Sequence, residues 1–312
     1  MLDILFIVLG LVLLIVGGNW LLKAAVALSL RLSIPKIVIG MTVVSFATSA
    51  PELIVSVNAA LEGFPDLALG NVVGSNIANL GLVLAITIIL GSINVRTGFY
   101  TTDWPVMMLA SLLFFGFIYF DGEIQRYEGF IMVLVLFFFL VYLLRFQKSA
   151  VVDEMPEDDV PLPLYKTVLY LGIGGLSLWG GSELLIKGAV GLATFYGVSE
   201  RVIAVTVVSI GTSIPELAAS IIAVLKKEKA ISLGNLIGSN IFNLLAVLGI
   251  TAMVTPIKVL DQGLLTSDIF WMLGVSFLIL PLVFLPKGLR LGWRDGVVLL
   301  GIYVSFVYFT IT

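Results

Sequence analysis

The sequence has no cysteine and no histidine, and its 312 residues carry little charge. Without cysteine there is no disulfide framework, no iron–sulfur cluster and no thiolate zinc site. Without histidine the commonest metal ligand and the usual proton shuttle near neutral pH are missing. Ser-His-Asp hydrolysis and His-ligated haem or zinc are therefore excluded. Charged residues make up only 12% of the chain, whereas hydrophobic ones make up 60%; soluble domains run to about a quarter charged. The formal net charge of −3 points to no nucleic-acid partner. What is present is apolar length and oxygen chemistry: carboxylates, hydroxyls, amides and backbone carbonyls. The mean hydropathy of +1.15 is that of a membrane protein, and a spanning helix needs about 20 apolar residues.

Ten apolar segments can be read, approximately 2–30, 37–61, 66–91, 104–120, 127–146, 165–193, 201–225, 231–255, 267–285 and 293–311. They predict an all-α polytopic membrane protein lying in a lipid bilayer. The first segment lacks a basic n-region and a small-residue cleavage site, and reads as an uncleaved span. Connections after odd-numbered spans hold Arg31, Lys36, Arg96, Arg145, Lys148, Lys166, Lys226, Lys227, Lys229, Lys287, Arg290 and Arg294. The other connections hold only Arg126, Arg201 and Lys258. By the positive-inside rule both termini are expected outside the cytoplasm.

A shift of 164 residues lays the second half on the first. Thr42–Ser56 (TVVSFATSAPELIVS) meets Thr206–Ser220 (TVVSIGTSIPELAAS) with ten identities in fifteen. Leu69–Leu80 (LGNVVGSNIANL) meets Leu233–Leu244 (LGNLIGSNIFNL) with nine in twelve. Chance apolar similarity does not reproduce Gly, Asn, Ser, Pro and Glu in register, so this is a duplication. Five spans per half is an odd number, which predicts two inverted five-helix repeats, a common plan among secondary transporters. The expected division is 1–146 and 165–312, joined by an acidic, proline-rich cytoplasmic linker over 147–164.

The matched polar residues interrupt apolar spans. Thr48, Ser49, Pro51 and Glu52 do so in the second span, and Thr212, Ser213, Pro215 and Glu216 in the seventh. Proline lacks an N–H and clashes with the carbonyl four residues back, here Ala47 or Gly211, so a kink with freed carbonyls is expected. Non-helical backbone at membrane depth is tolerated where it lines a cavity, and a glutamate beside it is costly unless paired or metal-bound. Spans 3 and 8 add Ser75, Asn76 and Asn79, matched by Ser239, Asn240 and Asn243. Ser75 and Asn79 share one helix face, as do Ser239 and Asn243. Two carboxylates with hydroxyl, amide and carbonyl oxygens suit a hard cation, calcium taking about 6–8 oxygens.

Blander readings exist for each residue. The threonines and serines near the prolines could back-bond to the preceding turn. Ser75, Ser239, Asn76 and Asn240 could serve interhelical packing. The two glutamates could be protonated acids that stabilise a bundle. Glu183 stands four residues before Lys187, which favours an ion pair on one helix face, and its repeat partner is the neutral Asn19.

The elements Ala47-Thr48-Ser49-Ala50-Pro51-Glu52 and Gly211-Thr212-Ser213-Ile214-Pro215-Glu216 occur with Gly-Asn and Gly-Ser-Asn motifs in the following spans. Together they resemble the α-repeats of the cation/calcium exchanger superfamily, above all prokaryotic sodium/calcium exchangers. The resemblance implies that Glu52 and Glu216 are the main calcium carboxylates, assisted by Thr48 and Thr212. It implies sodium sites at Ser49, Ser213, Ser75, Ser239 and the backbone of Ser45 and Ser209, with Asn79 and Asn243 completing the centre. The long spans 1 and 6 would slide as a gate across a fixed core.

Ala47 departs from its repeat partner Gly211, and Asn243 stands where some relatives carry aspartate, which argues against a potassium requirement. The proton-coupled branch usually has a glutamate where this chain has Gly-Ser-Asn. The expected function is sodium/calcium antiport in a prokaryotic cell membrane, with calcium and sodium as transported ions, no cofactor, no enzyme activity and no obligate protein partner. The competing readings are a proton-coupled calcium exchanger and a cation channel.

Overall fold

The computed structural model describes residues 2–146, 162–196, 211–286 and 288–311. Helices α1 (Leu2–Leu32), α2 (Lys36–Leu61), α3 (Pro65–Leu90), α4 (Phe99–Asp121) and α5 (Arg126–Phe146) make up the first half. The second half holds α6 (Leu164–Phe195), α7 (Ile214–Leu225), α8 (Lys229–Val254), α9 (Leu264–Phe284) and α10 (Trp293–Ile311). Eight of these are long and apolar enough to cross a membrane; α7 is a shorter apolar helix, and α10 is a 19-residue helix outside that set. Helices are the required solution for such segments, because lipid offers no partner to a free N–H or carbonyl.

Local chemistry sets the ends. Pro65 occupies the first turn of α3, where a missing N–H costs nothing. Gly122 adopts φ 67° and its N–H donates to Ile118 O at 3.0 Å, which closes α4.

Some of these helices are not uniform. π-helical turns occupy Gly40–Val44 in α2, Asn79–Leu84 in α3 and Asn243–Leu248 in α8. Such turns often mark functional sites, and two of them begin at the matched asparagines. Four two-residue strands accompany the helices: β1 (Ile93–Asn94) pairs antiparallel with β4 (Arg290–Leu291), and β2 (Glu123–Ile124) with β3 (Ile257–Lys258). Each pair joins one half to the other.

Helices α3 and α8 form the centre, with 78% of their apolar windows buried, against 28% for α1 and 22% for α6. Helices α1 and α6 lie against each other along glycine contacts. A Cβ at Gly10 would stand 2.7 Å from Gly181 O, and one at Gly17 2.8 Å from Gly174 O. Gly181 and Gly174 are the repeat partners of Gly17 and Gly10. The pairing is therefore reciprocal and the two helices run antiparallel.

Two expectations are corrected. The chain stays helical through Pro51, from Ser45 to Leu61, so α2 is not broken there. Glu183 and Lys187 are both exposed, and among the described residues they form no ion pair; Lys187 Nζ instead sits over the Phe6 ring, 5.0 Å from its centre. Most of the linker expected over 147–164 lies outside the described residues, as do the first ten positions of the segment 201–225.

Candidate functional site

Glu52 lies one residue beyond Pro51 in α2 and Glu216 one residue beyond Pro215 at the start of α7; both are fully buried. The elements that carry the two carboxylates meet here, Ser49 of α2 reaching Glu216 Oε1. In the second half the expected break is present: Thr212 and Ser213 form a turn, and α7 starts at Ile214 with Pro215 in its first turn. The carbonyl freed by Pro215, Gly211 O, accepts a hydrogen bond from Ser182 Oγ of α6 at 2.8 Å.

The polar residues of each half meet those of the other. Thr48 Oγ1 lies 3.2 Å from Asn235 Oδ1 and 3.3 Å from Ser239 Oγ. The repeat counterpart of the Thr48–Ser239 contact is that of Thr212 Oγ1 with Ser75 Oγ, at 3.2 Å. Ser49 Oγ and Ser239 Oγ both donate to Glu216 Oε1 at 3.4 Å. Ser45 Oγ lies 2.9 Å from Gly40 O and from Asn235 O, tying α2 to α8. Gly238 permits this approach, since a Cβ there would stand 2.6 Å from Met41 Cα.

At the crossing of α3 and α8 four asparagines interlock. Asn76 Nδ2 donates to Asn240 O and Asn240 Nδ2 to Asn76 O, both at 3.2 Å. Asn79 Nδ2 then donates to Asn240 Oδ1, and Asn243 Nδ2 to Asn76 Oδ1, both at 3.1 Å. The lock fixes the amide orientation of Asn79 and Asn243, because their nitrogens are committed and their oxygens are left over.

The leftover oxygens define the site. Among the described residues, Glu52 Oε1 and Oε2, Glu216 Oε2, Asn79 Oδ1, Asn243 Oδ1 and Ser213 Oγ are buried without a hydrogen-bond partner. Buried polar groups are nearly always paired, so six such oxygens from matched motifs mark a place for a ligand that attracts oxygen. Their chemistry is that of a hard-cation site, and two carboxylates supply its only negative charge. A group of three or more His, Cys, Asp or Glu able to hold a metal does not occur among the described residues.

Ser49 and Ser239 thus reach the Glu216 carboxylate and Thr48 meets Ser239, while Ser75 meets Thr212, Ser45 meets Asn235, and Asn79 and Asn243 are held by the asparagine lock. Ser209 lies outside the described residues. Asn76 and Asn240 take the packing role, and Asn71 and Asn235 were not singled out in advance as structural braces. Asn71 Nδ2 donates to Ser56 Oγ at 3.0 Å and Asn235 Nδ2 to Ser220 Oγ at 3.4 Å. Their signal was the identity of Asn71 with Asn235 and of Ser56 with Ser220 across the duplication.

Comparison with known proteins agrees with this geometry. The profile of the family described as sodium/calcium exchanger protein matches residues 2–145 and residues 166–312, one stretch in each half. The antiporter candidate CaxA of Alkalimonas amylolytica is 36% identical over 310 residues, covering 97% of this chain and 97% of its own. Sodium/calcium exchanger MaX1 of Methanosarcina acetivorans is 28% identical over 350 residues, covering 98% and 97%. The solved structure of the sodium-calcium exchanger NCX_Mj, soaked with 2.5 mM Na+ and 0.1 mM Ca2+, superposes with a TM-score of 0.82 at 25% identity over 99% of this chain and 98% of that one.

Proposed function

The chain belongs to the sodium/calcium exchanger family, an integral membrane protein that transports rather than catalyses, and from that premise we propose that it exchanges sodium for calcium by alternating access around Glu52 and Glu216. The observation that carries this reading is the set of six buried oxygens from the matched motifs that have no hydrogen-bond partner among the described residues. A bare pair of carboxylates is costly to carry past a dry barrier. Calcium neutralises the pair by its own charge and sodium ions do so by number, so movement is coupled to occupancy. With three sodium ions against one calcium, each cycle moves net charge and responds to membrane voltage.

The reading includes ten spans as two inverted repeats. Two features support inversion. The connection after α3 pairs through β1 with the connection before α10, whereas the connection before α5 pairs through β2 with the one after α8. Repeat-equivalent connections thus sit on opposite faces. The reciprocal, antiparallel contact of α1 with α6 has the same consequence. The glycine seam also suits these two helices to slide as a gate while α3 and α8 stay locked. Residues 1–146 and 165–312 are the repeats, both termini face away from the cytoplasm, and the setting is a prokaryotic cell membrane.

Sodium rather than proton coupling is supported by the neutral Gly-Ser-Asn elements, which offer hydroxyl and amide oxygens around the carboxylates. The test is uptake of radioactive calcium into proteoliposomes loaded with sodium. Uptake is expected to collapse with the sodium gradient. Uptake driven by a proton gradient without sodium would overturn the sodium assignment and favour proton exchange at the same glutamates. Turnover at channel rates would overturn alternating access.

A further inference from the structure

A cavity of about 500 Å³, away from the two glutamates, is lined by Lys36, Arg96, Lys227, Lys229 and Arg290, with Glu228 as the acid among its lining residues. It is assembled from both halves: Lys36 opens α2, Lys227 and Lys229 flank the start of α8, and Arg290 belongs to β4. Lys36 Nζ and Glu228 Oε1 form an ion pair at 2.8 Å and cancel. Lys229 Nζ donates to Ser92 O, and an Arg290 guanidinium nitrogen to Ser92 Oγ, both at 2.8 Å. Among the described residues these two cations therefore meet neutral oxygens only.

The duplication supplies an internal control. A feature required for passing cations in general would recur 164 residues away, and this one does not. The counterparts of Lys227, Glu228 and Lys229 are Gly63, Phe64 and Pro65. Their connection carries Glu62 and Asp66 instead, and Asp66 Oδ1 accepts from Leu260 N at 2.8 Å. Gly63 has φ 86°, natural for glycine, but Lys227 is held at φ 65° in the same left-handed position. A non-glycine residue there is disfavoured, and such a cost is commonly met at functional positions. A basic lining also repels the transported cations, so its ligand is an anion.

A second groove adjoins the cavity, sharing Ser92 and Arg290; Ile89, Leu90 and Trp293 line it together with Arg294 and Asp295, a buried acid that accepts from Gly292 N. The side chains of Ile89, Leu90 and Trp293 are 40%, 54% and 61% exposed, on a chain whose apolar surface faces lipid. Tryptophan and arginine side by side are typical of headgroup depth. A ligand fitting both spaces is anionic at one end and apolar at the other. The geometry points to a site for an anionic phospholipid, its phosphate held by Lys227, Lys229 and Arg290 and its chains laid along Ile89, Leu90 and Trp293. The lipid bridges connections of the two halves on the face richest in Lys and Arg.

The test is thermal unfolding of the full chain in neutral detergent, titrated with phosphatidylcholine alone or with phosphatidylglycerol. Phosphatidylglycerol is expected to raise the melting temperature saturably and phosphatidylcholine is not. The double variant Lys227→Gln/Arg290→Gln should need about thirtyfold more phosphatidylglycerol, the factor expected for two basic contacts. Equal stabilisation by both lipids, or an unchanged titration in the variant, overturns the site. The same shift with inorganic phosphate or glycerol 1-phosphate at matched concentration overturns the lipid and leaves a free-phosphate site. If the double variant does not unfold cooperatively in phosphatidylcholine, the single variants Lys227→Gln and Lys227→Arg decide. Gln must weaken the response and Arg preserve it, and the reverse overturns the proposal. The readout involves no transport, so its failure leaves the antiport reading intact.

Discussion

Glu52 and Glu216 are matched in sequence but not in surroundings. Glu216 Oε1 is held by Ser49 and Ser239, whereas both oxygens of Glu52 are unpartnered among the described residues. The difference follows from Ser213, which sits in a turn and has no partner among the described residues, while its counterpart Ser49 lies in continuous helix and reaches the opposite carboxylate. Glu52→Gln and Glu216→Gln are each expected to lower calcium affinity at least about a hundredfold, because losing one partner of a buried charge costs about 3–5 kcal/mol. Isothermal titration checks this, and retained wild-type affinity in either variant would refute the central site. Both variants should also melt higher than the parent in ion-free buffer, since one buried charge has been removed. Asn240→Ala makes a separate case. It strips the partner from Asn79 Nδ2, and a buried group left unpaired costs about 1–3 kcal/mol. Lower stability together with weaker calcium binding is expected, measured by melting with and without calcium.

The identity of these residues was legible in the sequence, because a glutamate after a proline in an apolar span has few structural uses. Which nitrogen is committed and which oxygen is left over was not legible. That depends on the opposite half standing within about 3 Å, a hydrogen-bond distance.

At the scale of elements, proline was a poor guide by itself. Pro215 follows a real break, but Pro51 lies inside a helix that runs on to Leu61. Periodicity does not announce π-helical turns, since they add one residue to a helix without changing its composition. The glycines of α1 and α6 are a clearer element-scale feature, with Gly10 against Gly181 and Gly17 against Gly174. Gly17→Leu or Gly174→Leu should force the helices apart at a cost of about 1–3 kcal/mol. If these helices are the gate, exchange rates fall while calcium affinity at equilibrium is unchanged. Stopped-flow exchange compared with titration separates the two, and a parallel loss of affinity would place the seam in the static core. The glycines themselves could be read as spacing of seven residues, but their partner helix could not.

For the whole molecule, the missing cysteines become an experimental advantage. Any single cysteine is the only thiol, so Asp3→Cys and Lys227→Cys can be labelled in intact cells with a membrane-impermeant maleimide. The first is expected to react directly and the second only after permeabilisation. The opposite pattern would reverse the orientation. Electrogenic exchange adds a second expectation: with sodium on the inside, an inside-negative potential should slow calcium uptake, and an inside-positive potential should speed it.

The sequence by itself determined that this chain enters a bilayer, that it is a duplication, and that two glutamates occupy the same place in each half. Those facts are linear: apolar length, repeat distance and residue identity need no knowledge of what lies across the fold. The tertiary structure decided which oxygens are left unpaired, how the asparagines lock the two halves together, and that basic side chains from distant connections line one cavity. Those are outcomes of approach in space between residues up to 198 positions apart, such as Ser92 and Arg290, and no local pattern encodes them.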